Sequence, residues 1–292
     1  MKNIIRRILL STLLCICLGL PSLHAQGPWA QRKGKGYSQL VFNTIPTYTT
    51  LFNGSQGSTR ETERELSESV WSAYVEVGVT EKFTLGGTLP LVSVGSGEPS
   101  LDNVNPVYPA DQLTSLGNVG IFGKYTLIDN KLKLALIAQV DFPSSTRNEL
   151  SGLSTGVNAY SFVPKLSVGS SSGKWYYFGN VGYGYRNNDY HDFLHVVAEA
   201  GRRLKNEKFL VILNLHRIHN INNGNPSVDS PANIETGLYT SFQEYSAFLL
   251  KFFAEDIYKG LGGFVSVGGS FIGQSVSVPV SPALSIGVFY KW

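Results

Sequence analysis

The sequence predicts an all-β protein, a transmembrane antiparallel β-barrel of about twelve strands. Three observations predict it. Apolar residues recur at every second position through most of the chain, the period of a strand with one greasy face. No stretch after residue 25 is long and apolar enough to cross a membrane as a helix. Charged residues make up only 15% of the chain, while Gly, Tyr and Phe number 31, 15 and 16; soluble domains carry about a quarter charged residues.

The first 25 residues read as a secretory signal peptide. Lys2, Arg6 and Arg7 precede an apolar core from Ile8 to Leu20, and Ala25 stands before Gln26. Both cysteines, Cys15 and Cys17, lie in this segment. The expected mature domain, 26–292, therefore offers no disulfide or thiolate site. Removing Lys2, Arg6 and Arg7 from the 24 basic residues leaves 21 against 21 acidic ones, so charge gives no reason to expect a nucleic-acid partner.

Strands are expected near 36–46, 66–80, 83–94, 117–127, 132–143, 157–170, 175–187, 192–204, 209–219, 234–254, 261–272 and 279–292. In the second, Trp71, Ala73, Val75, Val77 and Val79 oppose Tyr74 and Glu76. In the fourth, Val119, Ile121, Tyr125 and Leu127 oppose Lys124. The fifth sets Leu132, Leu134, Leu136, Ala138, Val140 and Phe142 on one face, and the seventh aligns Trp175, Tyr177, Val181, Tyr183 and Tyr185. The run from Glu235 to Phe253 lacks clean alternation. The last strand carries Leu284, Ile286, Val288, Tyr290 and Trp292 on its greasy face, and Tyr290 and Trp292 are the expected aromatic signal for the barrel assembly machinery.

Connections alternate in length. Short ones fall at 81–82, 128–131, 171–174, 205–207 and near 256–260; the others fall near 47–65, 95–116, 144–156, 188–191, 220–233 and 273–278. Outer-membrane barrels have short periplasmic turns and longer outer loops, and even strand numbers. The expected location is therefore the cell outer membrane, with both termini periplasmic and with lipid and lipopolysaccharide as surroundings. A secreted β-sandwich is the competing architecture.

Charge sets the register. A Lys or Arg on the lipid face at mid-bilayer costs roughly 2–4 kcal/mol, so Glu76, Lys124, Asp141, Lys165, Arg186 and Glu199 are expected to face the lumen. All four mature-chain histidines lie in 190–220, where two strands fold about residues 205–207. This folding places His195, Glu199, Asn214 and His216 on one inward patch, with His191 and Asp192 above it. Two imidazoles and a carboxylate can ligate a metal or orient a solute, but a polar hydrogen-bonded barrel interior needs the same residues. His216 and His219 are three apart on a strand and point to opposite faces. No metal or cofactor is expected. The loop at 95–116, carrying Leu101, Val104, Val107, Tyr108 and Leu113, either folds inward as a constriction or lies across the rim. The tract "RETERE" (60–65) is expected to be a solvated strand extension.

The segments "GNVGIFGKYTLIDNKLKLALIAQVDFPSSTRN" (117–148) and "FVPKLSVGSSSGKWYYFGNVGYGYRN" (162–187) resemble the phenol-degradation meta-pathway family of outer-membrane proteins. The likeness lies in a glycine-led strand ending Lys-Tyr, an apolar strand closing on a proline, and a "W-Y-x-x-G-N-x-G-Y" hairpin. Asn118 stands where the resemblance leads one to expect an acid, and Pro143-Ser144-Ser145 replaces Pro-Thr-Gly. The resemblance implies an outer-membrane barrel associated with aromatic catabolism.

These features favour a narrow channel or transporter for small solutes, with inward Tyr74 and Tyr176 suited to aromatic or apolar ones. The mixed signs of the lumen charges argue against strong ion selectivity. A surface lipid hydrolase is one alternative, with His219 as its outward histidine, but no G-x-S-x-G elbow, phosphate loop or HExxH motif is present. A non-conducting structural or adhesive barrel acting through its loops is the other.

Overall fold

A computed structural model describes residues 27–52, 58–98, 108–204, 208–221, 223–273 and 278–292. The expected signal peptide, the turn at 205–207 and loop residues Leu101, Val104 and Val107 lie outside the described residues. In chain order the strands are β1 (Gly36–Phe52), β2 (Thr59–Gly78), β3 (Phe83–Ser96), β4 (Asp111–Leu116), β5 (Val119–Asp129), β6 (Leu132–Phe142) and β7 (Ser161–Ser172). There follow β8 (Trp175–Arg186), β9 (Phe193–Arg203), β10 (Phe209–Asn220), β11 (Tyr245–Tyr258), β12 (Leu261–Gly273), β13 (Val278–Pro279) and β14 (Ala283–Lys291).

Twelve antiparallel staves form a closed ring. β1 pairs with β2 on one side and with β14 on the other, and β14 pairs with β12. The two short strands prolong staves. β3 holds β5 along Phe83–Thr88 and β4 along Leu91–Ser96. β1 holds β14 along Tyr37–Thr44 and β13 at Leu51 and Phe52. Hydrocarbon offers no partner for an open strand edge, so closure is what lets such a sheet span a bilayer.

The outer surface is the greasy set that alternation predicts. Leu136, Leu166, Val181, Val196, Leu213, Val265 and Ile286 are exposed there. Exposed aromatics border this band: Tyr125, Trp175, Tyr177, Tyr258 and Tyr290 toward the short turns, and Tyr160, Phe162, Tyr183 and Tyr185 toward the long loops. Trp292 stacks on Tyr290 at 5.9 Å, and its backbone exchanges both hydrogen bonds with Gly36, sealing the seam at the short-turn end. Glu76, Lys124, Lys165 and Glu199 are buried inside, as the cost of charge in lipid requires.

Three expectations are corrected. Residues 234–236, expected to open a stave, instead end a short helix, α1 (Pro231–Thr236), and the stave expected at 234–254 is β11, which starts at Tyr245. The chemistry of α1 is local: the Ser230 hydroxyl accepts from the Asn233 N–H, Pro231 needs no hydrogen-bonded N–H in the first turn, and Gly237 ends the helix at φ 70°. The stave expected from residue 157 starts at Ser161, because 143–160 folds as a loop. The "RETERE" tract lies within β2, but it is not simply solvated, since Arg64 is buried.

The greasy band gives a test. Ile286→Lys places a cation on the lipid face of β14 and is expected to cost about 2–4 kcal/mol in bilayers, against less for Tyr290→Lys in the bordering girdle. Urea titration of the reconstituted barrels measures both; equal costs would refute the assigned membrane depth.

Candidate functional site in the barrel lumen

The chain preceding β1 turns into the lumen at the short-turn end. Its backbone has few partners of its own, so the barrel wall supplies them. Lys124 Nζ donates to the carbonyls of Trp29 at 2.7 Å and Gly27 at 3.3 Å. The Gln31 N–H donates to Thr84 Oγ1 at 2.9 Å, and Gln31 Nε2 to Glu76 Oε1 at 2.5 Å. The Trp29 indole meets Tyr176 and Phe178 edge-on, each with ring centroids 5.7 Å away. Residues 27–32 therefore form a strap across the floor of the barrel. Lys124 also bridges to Glu76 at 3.3 Å, and Glu76 accepts from the Tyr74 hydroxyl at 2.9 Å. One buried lysine thus ties the strap to the wall.

Beside the strap, and open toward the short-turn rim, lies a cavity of about 570 Å³. Its walls mix aromatic rings, among them Trp29, Tyr37, Tyr74, Tyr176 and Phe178, with charged groups such as Lys124, Glu199, Arg203 and Lys251. Tyr176 can lie along this wall because Gly201 is opposite it; a Cβ there would stand 2.1 Å from the Tyr176 ring. A volume of this order suits one small ligand.

The expected inward patch is present. Glu199 faces Asn214 across β9–β10, accepting from Asn214 Nδ2 at 3.0 Å and from the Tyr176 hydroxyl at 2.8 Å. His195 and His216 are diagonal neighbours, their rings edge-to-face at 4.9 Å, and His216 also meets Tyr245 at 5.4 Å. The Nδ1 of His216 is buried without a hydrogen-bond partner. Nearby, Lys165 Nζ donates to Gln139 and Gln139 Nε2 to Asp141, both at 2.7 Å, while Arg186 lies over the Phe193 ring at 4.3 Å. Among the described residues, no three His, Cys, Asp or Glu side chains are grouped to hold a metal ion. His219 is on the opposite face from His216, half-exposed, with its Nδ1 3.0 Å from Glu244.

The long-loop mouth is plugged by two loops that enter it, 143–160 and 221–244. Leu153 and Leu238 pack on Val70, Val92 and Val94 of β2 and β3. Arg64, with 2% of its side chain exposed, donates to Glu235 Oε2 at 2.7 Å and to the carbonyls of Ser151 and Pro109 at 2.9 Å. Arg147 holds the Val228 carbonyl and the Tyr190 hydroxyl, and Asp229 accepts from the N–H and hydroxyl of Ser241. Asn118 pins the first loop by donating to the carbonyls of Phe142 and Val157 and accepting from the Val157 N–H. An ionised acid at 118 could not donate those bonds. Of the loop at 95–116, Tyr108 and Pro109 touch Arg64, Leu113 packs against the Leu153–Leu238 cluster and residues 111–116 are strand; residues 99–107, on which the choice between constriction and rim turns, lie outside the described residues.

The family model described as "Putative MetA-pathway of phenol degradation" matches residues 42–246, and the chain belongs to that family. An outer-membrane channel from Pseudomonas putida F1 superposes with a TM-score of 0.68 at 11% identity, covering 93% of this chain and 100% of that one. The KdgM porin gives 0.47 at 7% identity, covering 87% and 99%. The CymD monoaromatic hydrocarbon channel gives 0.45 at 9%, covering 90% and 89%. No curated protein matches the chain.

Two outcomes test this geometry. Lys124→Met removes a charged donor worth about 1.5–3 kcal/mol, so amide exchange in residues 27–31 is expected to quicken roughly 10–100-fold by the usual conversion of energy to population. Unchanged exchange would mean that the strap is held otherwise. At the rim, burial pushes the Asp192 carboxyl up, but hydrogen bonds from Tyr183, the Arg186 N–H and Asn223, with the Arg186 charge, outweigh it and hold the group below its ordinary value. The contribution of this clamp is full above the ordinary Asp value of about 4 and is lost as pH falls through the lower folded value. Exchange at Asn223 and Gly224 is expected to rise only in that acid range, and Asp192→Asn to remove the dependence.

Proposed function

Taking membership of that family as the premise, we propose that the chain is a narrow outer-membrane channel for small solutes, aromatic ones among them. Its termini are periplasmic, so the strap forms the periplasmic floor. The observation that carries this reading is the aromatic-walled cavity of about 570 Å³ beside the strap, open toward the short-turn rim. A purely structural barrel of this size gains nothing from an internal chamber lined by rings and charges, whereas a solute path needs a place to desolvate and hold its cargo.

The two closures divide the task. The plug has its own apolar core and a network of buried hydrogen bonds. The strap is a short extended segment held chiefly by Lys124, Thr84, Glu76 and two ring edges. Passage requires both to yield, and the strap, with fewer bonds, yields at lower cost. His195, His216, Lys165, Asp141 and Arg186 then form the polar belt that a solute meets between plug and chamber. Lipid, lipopolysaccharide and the assembly machinery, reading Tyr290 and Trp292, complete the proposed partners.

Planar-bilayer conductance tests this function. The full mature chain is expected to give rare, small steps, and deletion of residues 27–33 to give frequent, larger ones. Silence from the strapless barrel, its fold shown by heat-modifiable gel mobility, would contradict the channel reading.

A further inference from the structure

The lipid face of the barrel is not evenly ridged. Across β7 to β10 it dips into a groove of about 440 Å³, walled by Val168, Tyr177, Leu213 and Leu215. The dip has a cause in the sequence. The outward column of β9 reads Ala198, Ala200 and Arg202, and Gly179 of β8 lies beside Ala198. These short residues stand between bulkier neighbours, since Leu215 pairs with Ala198, and Ala200 with Leu213 and Tyr177. Phe178 and Glu199, whose side chains turn to the lumen, also border the groove.

One end of the groove is charged. Arg202 is exposed and follows Ala200 on the same face, at the short-turn border that carries Trp175 and Tyr177. Trp175 is its cross-strand partner, and the guanidinium lies over the indole at 5.2 Å. Stacking occupies a face of the guanidinium and leaves its in-plane N–H donors for another partner. Among the described residues, no carboxylate pairs with it. A lipid-facing cation is costly at mid-bilayer and cheap near the interface, where Arg202 stands. From Arg202 to Ala198 the groove runs roughly 13 Å toward the bilayer centre, at ~3.3 Å per residue.

We propose that this groove binds one glycerophospholipid, an acyl chain lying over Gly179, Ala198 and Ala200 and the phosphate held by Arg202. The order of groups matches: cation at the interface, apolar trough below it. A guanidinium donates in a planar fork that fits phosphate oxygens. Within a bilayer the chain gains no transfer from water, but it fills a trough whose lining otherwise lacks contacts on one side. Selectivity therefore comes from the phosphate. The site lies outside the lumen and is separate from the channel; it takes from that reading only the periplasmic assignment of the short turns, which puts phospholipid rather than lipopolysaccharide at this end.

The test is native mass spectrometry of the full mature barrel, released from detergent micelles holding phosphatidylglycerol, dioleoylglycerol or lipopolysaccharide. One phosphatidylglycerol is expected to stay bound after all other lipid is stripped. Dioleoylglycerol, which has the chains without the phosphate, is expected to be retained at least 10-fold less. Arg202→Gln is expected to lower phosphatidylglycerol retention about 10-fold. A Cβ at Gly179 would meet only the Val197 carbonyl, at 3.6 Å, so Gly179→Leu suits the fold and projects into the trough; it is expected to lower retention similarly. Should that variant fail to show heat-modifiable gel mobility, Arg202→Gln and the dioleoylglycerol comparison still decide. Equal retention by the wild type and both variants would mean annular lipid only and overturn the inference. Tighter retention of lipopolysaccharide than of phosphatidylglycerol, or a dimer that Gly179→Leu disperses, would overturn it too. Any of these results would leave the channel standing if the strapless barrel conducts, and silence from that barrel would leave this groove untouched.

Discussion

Everything in this molecule depends on the absence of a hydrogen-bonding solvent around its middle. In hydrocarbon, each unpaired backbone N–H or carbonyl costs several kcal/mol, so β1 must find β14 and the sheet must close. Closure fixes the rest. With twelve staves the interior is wider than eight strands enclose and narrower than an open porin. Side chains alone do not fill it, so chain segments enter it. The alternation that places Leu, Val and Ile outside also drives the mid-span charges Glu76, Lys124, Lys165 and Glu199 inward, where each needs a partner.

The interior is the solution to that second requirement. Lys124 illustrates it: the lipid cost sends it inward, burial demands acceptors, and the strap carbonyls and Glu76 supply them. Arg64 does the same at the other end, gathering Glu235 and backbone carbonyls from two loops. Buried cations therefore act as the anchors of both closures. The two differ in what accompanies the anchor. The plug also has an apolar cluster of Leu153 and Leu238 packed on three wall valines, which makes it a small folded unit. Around Lys124 there is a chamber, which leaves the strap poised rather than packed.

The barrel was legible in the sequence because its signals are periodic and costly to violate. Glu76, Lys124 and Glu199 could be placed inside from charge alone, and His195 and His216 on one inward patch from the turn between their strands. Helix α1 left a readable trace, Ser230 before Pro231 and Gly237 after Thr236, beneath an alternation too weak to be a stave. The strap left none: "GPWAQRK" has no period, and its contacts are made through backbone carbonyls that any residue carries. The plug was hidden for a related reason. Gly152, at φ 72° with the Ala232 carbonyl where a Cβ would stand, meets a loop some eighty residues away, and no local pattern encodes that approach.

The central claim is that residues 27–32 lie inside the barrel of the membrane-embedded protein. The most direct measurement uses a mature chain with cysteines introduced at Trp29→Cys and Phe178→Cys, reconstituted in lipid and treated with a short bis-maleimide. The account predicts a high yield of intramolecular cross-link, lowered when Lys124→Met is added. No cross-link, with both thiols labelled freely by a bulky maleimide from the short-turn side, would place the strap outside the lumen and contradict it.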